Sequence, residues 1–315
     1  MADVAALEAV AAFLRCPVCA CPVRLDGGQL GCAHGHRFDI ARQGYVSLTS
    51  GRGGPGTGDS AEMVMARERF LVGGHYKPLA DAIVDRAGAQ LAGAGLAGAE
   101  LAGAGLAGAE PASAELAGRR DSEPCGLVVD LAGGTGYYLA RVLDALPERL
   151  GVCLDLSAPA LRRAARAHVR AAAIGADVWQ PLPLADGSAA LAMSVFGPRN
   201  AAEISRVLAP GGALIVATPT ADHLRELREP LGMIGIDERK TERLADAYHD
   251  YETADVSGVR YRLSLDHDDV AAVVAMGPSA RHIKAADLAA RIGALPSPVA
   301  VTVDFEIRIL KRRGV

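Results

Sequence analysis

Two short stretches near the N-terminus carry residue types that bind metal: Cys16-Pro17-Val18-Cys19 and Cys32-Ala33-His34-Gly35-His36. Thiolate and imidazole are zinc ligands, and a closed structural site takes four of them in a tetrahedron. Cys16, Cys19, Cys32 and His36 combine a C-x2-C pair with a C-x3-H pair. Cys21 could replace Cys19, and His34 could replace His36. The plainer alternative is a cluster of buried free thiols. A segment of about forty residues this poor in large apolar groups needs a staple, however, and Zn²⁺ is the one its residues offer. The remaining cysteines, Cys125 and Cys153, lie alone. Crowding of this kind in a chain without a secretory pattern favours metal over disulfides.

The second stretch with chemical content is Val128-Val129-Asp130-Leu131-Ala132-Gly133-Gly134-Thr135-Gly136-Tyr137-Tyr138. It reads as a buried strand, an acid at the strand's end, a glycine turn and the start of a helix. Backbone at glycine approaches a ligand closely, and a helix N-terminus offers free N–H groups and partial positive charge. A dinucleotide fingerprint wants a third glycine, but Tyr137-Tyr138-Leu139 follows Gly136. An acid at position 130 would repel a pyrophosphate, yet it suits a ligand with an ammonium group. S-Adenosylmethionine has that ammonium, a carboxylate for the turn N–H groups, and a ribose for Asp155 at the end of the second strand. Asp177, with Val178 and Trp179, ends the third strand, where an adenine amino group would sit. Three acids at three consecutive strand ends favour S-adenosylmethionine over a nicotinamide cofactor. The sequence holds no P-loop, HExxH or G-x-S-x-G element.

These residues require elements to hold them. Pro22–Leu25 and Gln29–Cys32 flank the turn signal Asp26-Gly27-Gly28, which predicts a tight hairpin that brings the two ligand pairs together. Arg37 to Leu48 supplies apolar residues to pack on that hairpin, and Thr49 to Gly58 is a Gly-rich linker. A helix is predicted from Ser60, with Met63, Phe70 and Leu71 on its apolar side and Arg67 and Arg69 pointing elsewhere. A second helix runs from Pro78 to about Ala87. Residues 91–118 repeat Leu-Ala-Gly-Ala-(Gly/Glu) every five residues, a spacing that fits neither helix nor strand, and are expected to form an expanded surface insertion. From residue 127 strands and helices alternate. Strands are expected at Leu127–Leu131, Gly151–Leu156, Ala171–Asp177, Ala189–Phe196, Ala213–Thr218, Val259–Leu265 and Val299–Leu310, with helices near 137–146, 158–168, 200–208, 221–232, 268–275 and 284–293. Such alternation predicts an α/β doubly wound, mostly parallel sheet with its ligand at the switch point. The domains are expected at 1–50 (zinc-binding), 51–90 (linker and helices), 91–120 (repeat insertion) and 121–315 (S-adenosylmethionine-binding).

The chain has 315 residues, half of them hydrophobic, enough for a large core. A net charge of −4 does not announce nucleic acid, although a local patch would suffice. Arg162, Arg163, Arg166, His168 and Arg170 form a basic run with two readings, solvated face or RNA contact; Arg37, Arg42 and Arg52 on the finger have the same two. Residues 1–15 lack a charged region before an apolar run, and no apolar stretch reaches the roughly 18 residues a membrane span needs. A cytoplasmic protein with no membrane partner is expected.

Taken together, these residues resemble a known family. The stretch Cys16-Pro17-x-Cys19, Cys32-x3-His36-x-Phe38-Asp39-x-Ala41-x2-Gly44-Tyr45-Val46-x-Leu48 is similar to the zinc-binding start of the 23S rRNA guanine-N1 methyltransferases. So are Gly74-His75-Tyr76-x-Pro78-Leu79, Asp130 to Tyr138, and Thr218-Pro219 with His223-Leu224. Arg163 to His168, Ala176 to Trp179, Val195 to Asn200, Leu265 to Asp268 and Val274 to Ser279 resemble the actinobacterial branch that protects antibiotic producers against tylosin- and mycinamicin-type macrolides.

The resemblance implies a Rossmann-like class I methyltransferase fold, seven-stranded with the last strand antiparallel, and an N-terminal zinc-binding hairpin domain. It implies methyl transfer to N1 of guanine 748 in a 23S rRNA hairpin loop lining the peptide exit tunnel. It also implies Zn²⁺, and a homodimer whose two fingers form an RNA cleft. By the family pattern Tyr76, Gly133, Gly134, Thr135, Gly136 and His223 contact the cofactor, beside Asp130, Asp155, Asp177 and Val178. The lip after the fourth strand offers Phe196 to stack on the guanine, and Arg199 or Asn200 to address its edge. The chain departs from the pattern at Ala132, where the family has glycine. Two rival functions follow: a zinc-dependent RNA-binding protein with a decayed cofactor site, for which Ala132 is the sole support, and a methyltransferase of small molecules.

Overall fold

The computed structural model describes residues 4–49, 58–103, 126–198, 200–233, 235 and 248–313. Arg199, Cys125, Arg52, most of the 49–58 linker and residues 104–118 of the repeat lie outside them.

The N-terminal module begins with α1 (Ala5–Val10) and continues into a three-stranded antiparallel sheet of β1 (Val23–Asp26), β2 (Gln29–Cys32) and β3 (Arg37–Asp39). Asp26 pairs with Gln29 across Gly27 and Gly28, whose φ values are 57° and 85°. Two successive positive φ angles match the twist of a tight hairpin, and only glycine adopts them without strain. The third strand returns His36 to the hairpin, with Leu30 opposite Phe38. Then β4 (Val46–Ser47) leaves the module and pairs parallel with β7 (Ala171–Gly175), Val46 opposite Ile174.

The large sheet is completed by β5 (Leu127–Leu131), β6 (Gly151–Asp155), β8 (Ala189–Val195), β9 (Leu208–Pro219), β10 (Tyr251–Leu265) and β11 (Val299–Arg312). Its order is β10-β11-β9-β8-β5-β6-β7-β4. β11 alone runs against the direction of the other strands of this sheet, so the core is the expected doubly wound sheet with an antiparallel last strand. The eighth strand is the addition from the finger. A two-residue strand carries no periodic signal of its own. The strand expected at Val259–Leu265 starts eight residues earlier, at Tyr251; as an edge strand it alternates exposed charges where a buried strand would be apolar.

The helices are α2 (Ala61–Val72), α3 (Lys77–Gly103), α4 (Tyr137–Ala145), α5 (Ala158–Ala164), α6 (Ala201–Val207), α7 (Arg225–Leu231), α8 (His267–Ala275) and α9 (Ala285–Gly293). The helix expected to stop near Ala87 instead continues through thirteen residues of the repeat. Alanine's helix propensity sets this backbone although the leucines form no apolar stripe.

Strand alternation sorts the core onto the two faces of the sheet. Val128, Met193, Ile215 and Phe305 face one way and pack with Phe70, Leu79, Ile83 and Leu139 of α2, α3 and α4. Val129, Leu154, Ile174 and Val216 face the other way, where the finger's Leu7, Val10, Leu14, Cys16, Val46 and Leu48 complete the cluster. The finger therefore shares its core with the sheet. Arg15 N–H donates to the Pro183 carbonyl at 3.0 Å and Ala185 N–H to that of Phe13 at 2.8 Å, stitching the two together. Among the described residues no helix is long and apolar enough to cross a membrane.

Candidate active site and metal centre

The four ligand atoms of Cys16, Cys19, Cys32 and His36 lie within 4.8 Å of one another. Cys19 Sγ is 3.7 Å from Cys32 Sγ, and His36 Nδ1 is 3.6 Å from Cys16 Sγ and 3.4 Å from Cys32 Sγ. A tetrahedron with Zn–S of about 2.3 Å and Zn–N of about 2.0 Å requires S···S near ~3.8 Å and S···N near ~3.6 Å. The set therefore fits zinc, with His36 binding through Nδ1. Burial pushes the Cys32 thiol up, but the N–H groups of His36 and His34 directed at its sulfur outweigh this and hold it near 6. A thiolate is thereby ready for a cation. The alternatives Cys21 and His34 stand outside this set, with Cys21 Sγ 3.7 Å from His34 Nδ1.

More than a hundred residues on, β5, β6 and β7 end side by side, and their C-terminal ends open into a cavity of about 650 Å³. Asp130, Gly133, Gly134, Thr135, Asp155, Asp177 and Val178 line it, as does Tyr76 from the start of α3. Asp130 is 1% exposed, and its Oδ2 has no hydrogen-bond partner. Burial, and secondarily the charge of Asp155, pushes its carboxyl up to about 8. The Asp155 oxygens accept from Gly134 N–H at 2.9 Å and Ser157 N–H at 2.7 Å, while burial still raises its pKa. Asp177 accepts from Trp179 N–H at 3.0 Å. Tyr137 and Tyr138 also line the cavity, and both have buried hydroxyls without a partner. Buried polar groups left unpaired in the free protein mark where a polar ligand completes the hydrogen bonding.

The glycine turn is tighter than its sequence indicates. A β-carbon on Gly133 would lie 2.6 Å from Asp130 Oδ2 and 2.7 Å from Cys153 Sγ, so no side chain fits there. Ala132 has φ of 55°, the left-handed region that favours glycine. Glycine there would relieve the strain, yet Ala132 lines the cavity without closing it. Gly136 does not line the cavity. A β-carbon there would stand 3.2 Å from Ala164 Cα, so this glycine lets α4 pack closely on α5.

Two family models match the chain: the zinc ribbon described as "RlmA, N-terminal" over residues 14–49, and "Methyltransferase domain" over residues 128–212. A curated protein of Streptomyces fradiae named 23S rRNA (guanine(748)-N(1))-methyltransferase is 44% identical, covering 96% of this chain and 98% of its own length. One from Micromonospora griseorubida, whose name assigns guanine-N1 activity on 23S rRNA provisionally, is 46% identical, covering 96% and 97%. The chain belongs to the 23S rRNA (guanine-N1)-methyltransferase family. Among solved structures, a methyltransferase-like protein from Bacillus halodurans is 15% identical over 59% of this chain and 92% of its own, with a TM-score of 0.43.

A 23S rRNA guanine-N1 methyltransferase uses S-adenosylmethionine, and the cavity fits it: an orphaned buried acid for the ammonium and, at Gly133, a turn with no room for a side chain. Several sequence expectations change, however. His223 does not line the cavity; its Nε2 lies 3.1 Å from the Tyr76 phenol oxygen, behind it. Asn200 caps α6, its Oδ1 accepting from Glu203 N–H at 3.4 Å and its Nδ2 donating to the Trp179 carbonyl at 3.2 Å, so its amide is already engaged. Phe196 does stand at the lip, 40% exposed, with φ of 61° and its ring 5.1 Å from that of Phe305.

Arg67 was expected to point away from the apolar side of its helix. Instead it lines the cavity, pairs with Asp59 at 2.5 Å, donates to the Met276 carbonyl at 3.0 Å, and stands 3.2 Å from a β-carbon built on Gly134. Met276 lies 209 residues away in sequence, and no local pattern announces it. Met276, Pro278 and His282 also line the cavity. The basic run after β6 is largely engaged within the fold. Arg163 pairs with Glu68 at 2.6 Å, His168 lies 3.4 Å from Asp144, and Arg170 donates to the carbonyls of Leu143, Leu146 and Arg149. Arg37 pairs with Asp26 at 2.8 Å.

Proposed function

We propose that this enzyme methylates N1 of guanine 748 in a hairpin loop of 23S rRNA and so confers resistance to tylosin- and mycinamicin-type macrolides. The observation that carries this reading is the 44% identity to the Streptomyces fradiae enzyme, which spans both the finger and the cavity. The finger distinguishes it from the small-molecule reading, since a free small substrate has no need of a metal-stapled module beside the cavity.

S-Adenosylmethionine supplies a methyl group on a sulfonium. Asp130 would pair with its ammonium, and Arg67, beside Gly134, would face its carboxylate next to Thr135, since the Gly133 N–H already donates to the Leu154 carbonyl at 3.0 Å and the Gly134 N–H to Asp155 at 2.9 Å. Asp155 would accept from the ribose hydroxyls, and Asp177 and Val178 would hold the adenine edge. His223 acts through Tyr76, keeping its phenol in place. The target guanine leaves its loop and stacks on Phe196, whose left-handed backbone aims the ring at the lip. Arg199 addresses the purine edge. Tyr76, Tyr138, Phe196 and Phe305 form an aromatic wall, which excludes water and fixes orientation, a large part of the rate in a displacement of this kind. Guanine N1 must lose its proton near transfer. Two fingers of a homodimer form the cleft for the RNA, and the protein works in the cytoplasm. Incubating 23S rRNA and a tylosin-type macrolide separately with labelled methyl donor separates the readings: label in the RNA supports this one, and label in the macrolide alone overturns it.

A further inference from the structure

Cys21 and His34 are left over once the zinc set is complete, and each sits two residues from a ligand of that set. Cys21 follows Cys19 in the first knuckle, and His34 precedes His36 in the second. The hairpin register that joins Val23 to Cys32 also brings the extra pair together, Cys21 Sγ 3.7 Å from His34 Nδ1. The ligand atoms of Cys19, Cys21 and His34 all lie within 4.8 Å of one another. Cys19 thus belongs to two ligand groups. Both extra side chains reach solvent, His34 being exposed and Cys21 half-buried.

We propose that the finger holds a second divalent metal ion, bridged to the first through Cys19 Sγ and completed by Cys21 Sγ and His34 Nδ1. A thiolate has lone pairs for two ions, and Cys21 loses its proton to solvent as it binds. Two thiolates and an imidazole select a borderline-soft cation such as Zn²⁺, and three protein ligands leave the fourth position to water. The second ion also changes the charge of the finger. One zinc with three thiolates carries −1; two ions with four thiolates carry none. Removing a negative charge beside a polyanionic substrate favours its approach.

The test is metal stoichiometry of the full chain, equilibrated with excess Zn²⁺, desalted and weighed by native mass spectrometry. The expected result is two zinc ions in the parent and one in both Cys21→Ser and His34→Asn. A second readout adds Co²⁺ to the one-zinc chain. Thiolate-to-cobalt charge-transfer absorption should appear in the parent and be lost in both variants. A parent that holds one ion, variants that hold as many as the parent, or variants that lose both ions would each overturn the proposal.

Discussion

The phenol oxygen of Tyr76 lies 3.1 Å from Nε2 of His223, and the backbone N–H of Asp304 points at Nδ1 of the same ring from 3.4 Å. An N–H aimed at Nδ1 makes that nitrogen an acceptor, so Nε2 carries the hydrogen and donates to Tyr76. The phenol's own proton is then free to donate into the cavity. Burial, with help from Arg228, holds His223 near 3, so the ring stays neutral throughout the physiological range.

Tyr76→Phe should therefore weaken cofactor binding about tenfold, the value of one hydrogen bond of ~1.5 kcal/mol. His223→Ala should cost less, and its effect should not change between pH 5 and 8. Equilibrium binding of S-adenosylhomocysteine measures both. A pH-dependent loss in His223→Ala would show that the imidazole titrates and meets the ligand itself.

Asp130 gives a pH dependence of definite sign. Its carboxyl is raised from 3.8 to about 8 in the free protein, so the native state holds a proton that the unfolded chain releases. Over that interval the unfolded chain ionises while the native carboxyl keeps its proton, so stability falls as pH rises from about 4 to 8. An ammonium beside it favours the ionised form, so binding at pH 7 should release close to one proton. Calorimetry in buffers of different ionisation enthalpy reads this directly, and Asp130→Asn should abolish the release. A heat independent of buffer would contradict the pairing of Asp130 with the ammonium.

The two small residues of the glycine turn should behave differently. Ala132→Gly relieves a left-handed alanine but adds freedom to the unfolded chain, so net stability should change by less than about 1 kcal/mol. Cofactor affinity should hold. Gly133→Ala forces a methyl against Asp130 and Cys153; it should cost about 2–3 kcal/mol and remove binding. Thermal melts with and without S-adenosylhomocysteine compare the two. Loss of binding in Ala132→Gly would mean that the alanine methyl itself contributes to the site.

Zinc removal should affect more than the finger. Leu14, Cys16, Val46 and Leu48 share one buried cluster with Leu154 and Ile174 of the sheet. Chelation, or Cys32→Ser, should lower the melting temperature of the whole chain by several degrees, read by circular dichroism at the helical band. An unchanged melt would mean that the finger folds apart from the sheet.

Local patterns made part of this legible. Asp130, Asp155 and Asp177 were readable because each terminates an apolar run, and Cys16, Cys19, Cys32 and His36 because their spacing is set by two turns. Relations between distant segments were not readable. Arg67 enters the cavity, where it donates to the carbonyl of Met276, 209 residues away, although its own helix reads as turning it away from the apolar side. Val46 joins the large sheet through a strand of two residues, too short for any period. Asn200 looked free for a purine edge, yet the start of α6 needed a cap. The alanine repeat beyond Leu91 is helical at least to Gly103, because backbone preference prevailed over the missing apolar stripe.

Primer extension across 23S rRNA treated with the enzyme and S-adenosylmethionine tests the central claim most directly, because a methyl on guanine N1 blocks Watson–Crick pairing and halts the polymerase. A single new stop at guanine 748, absent with Asp155→Ala or Phe196→Ala, is the expected result. Full read-through with the parent enzyme, or an equal stop with both variants, would contradict the account.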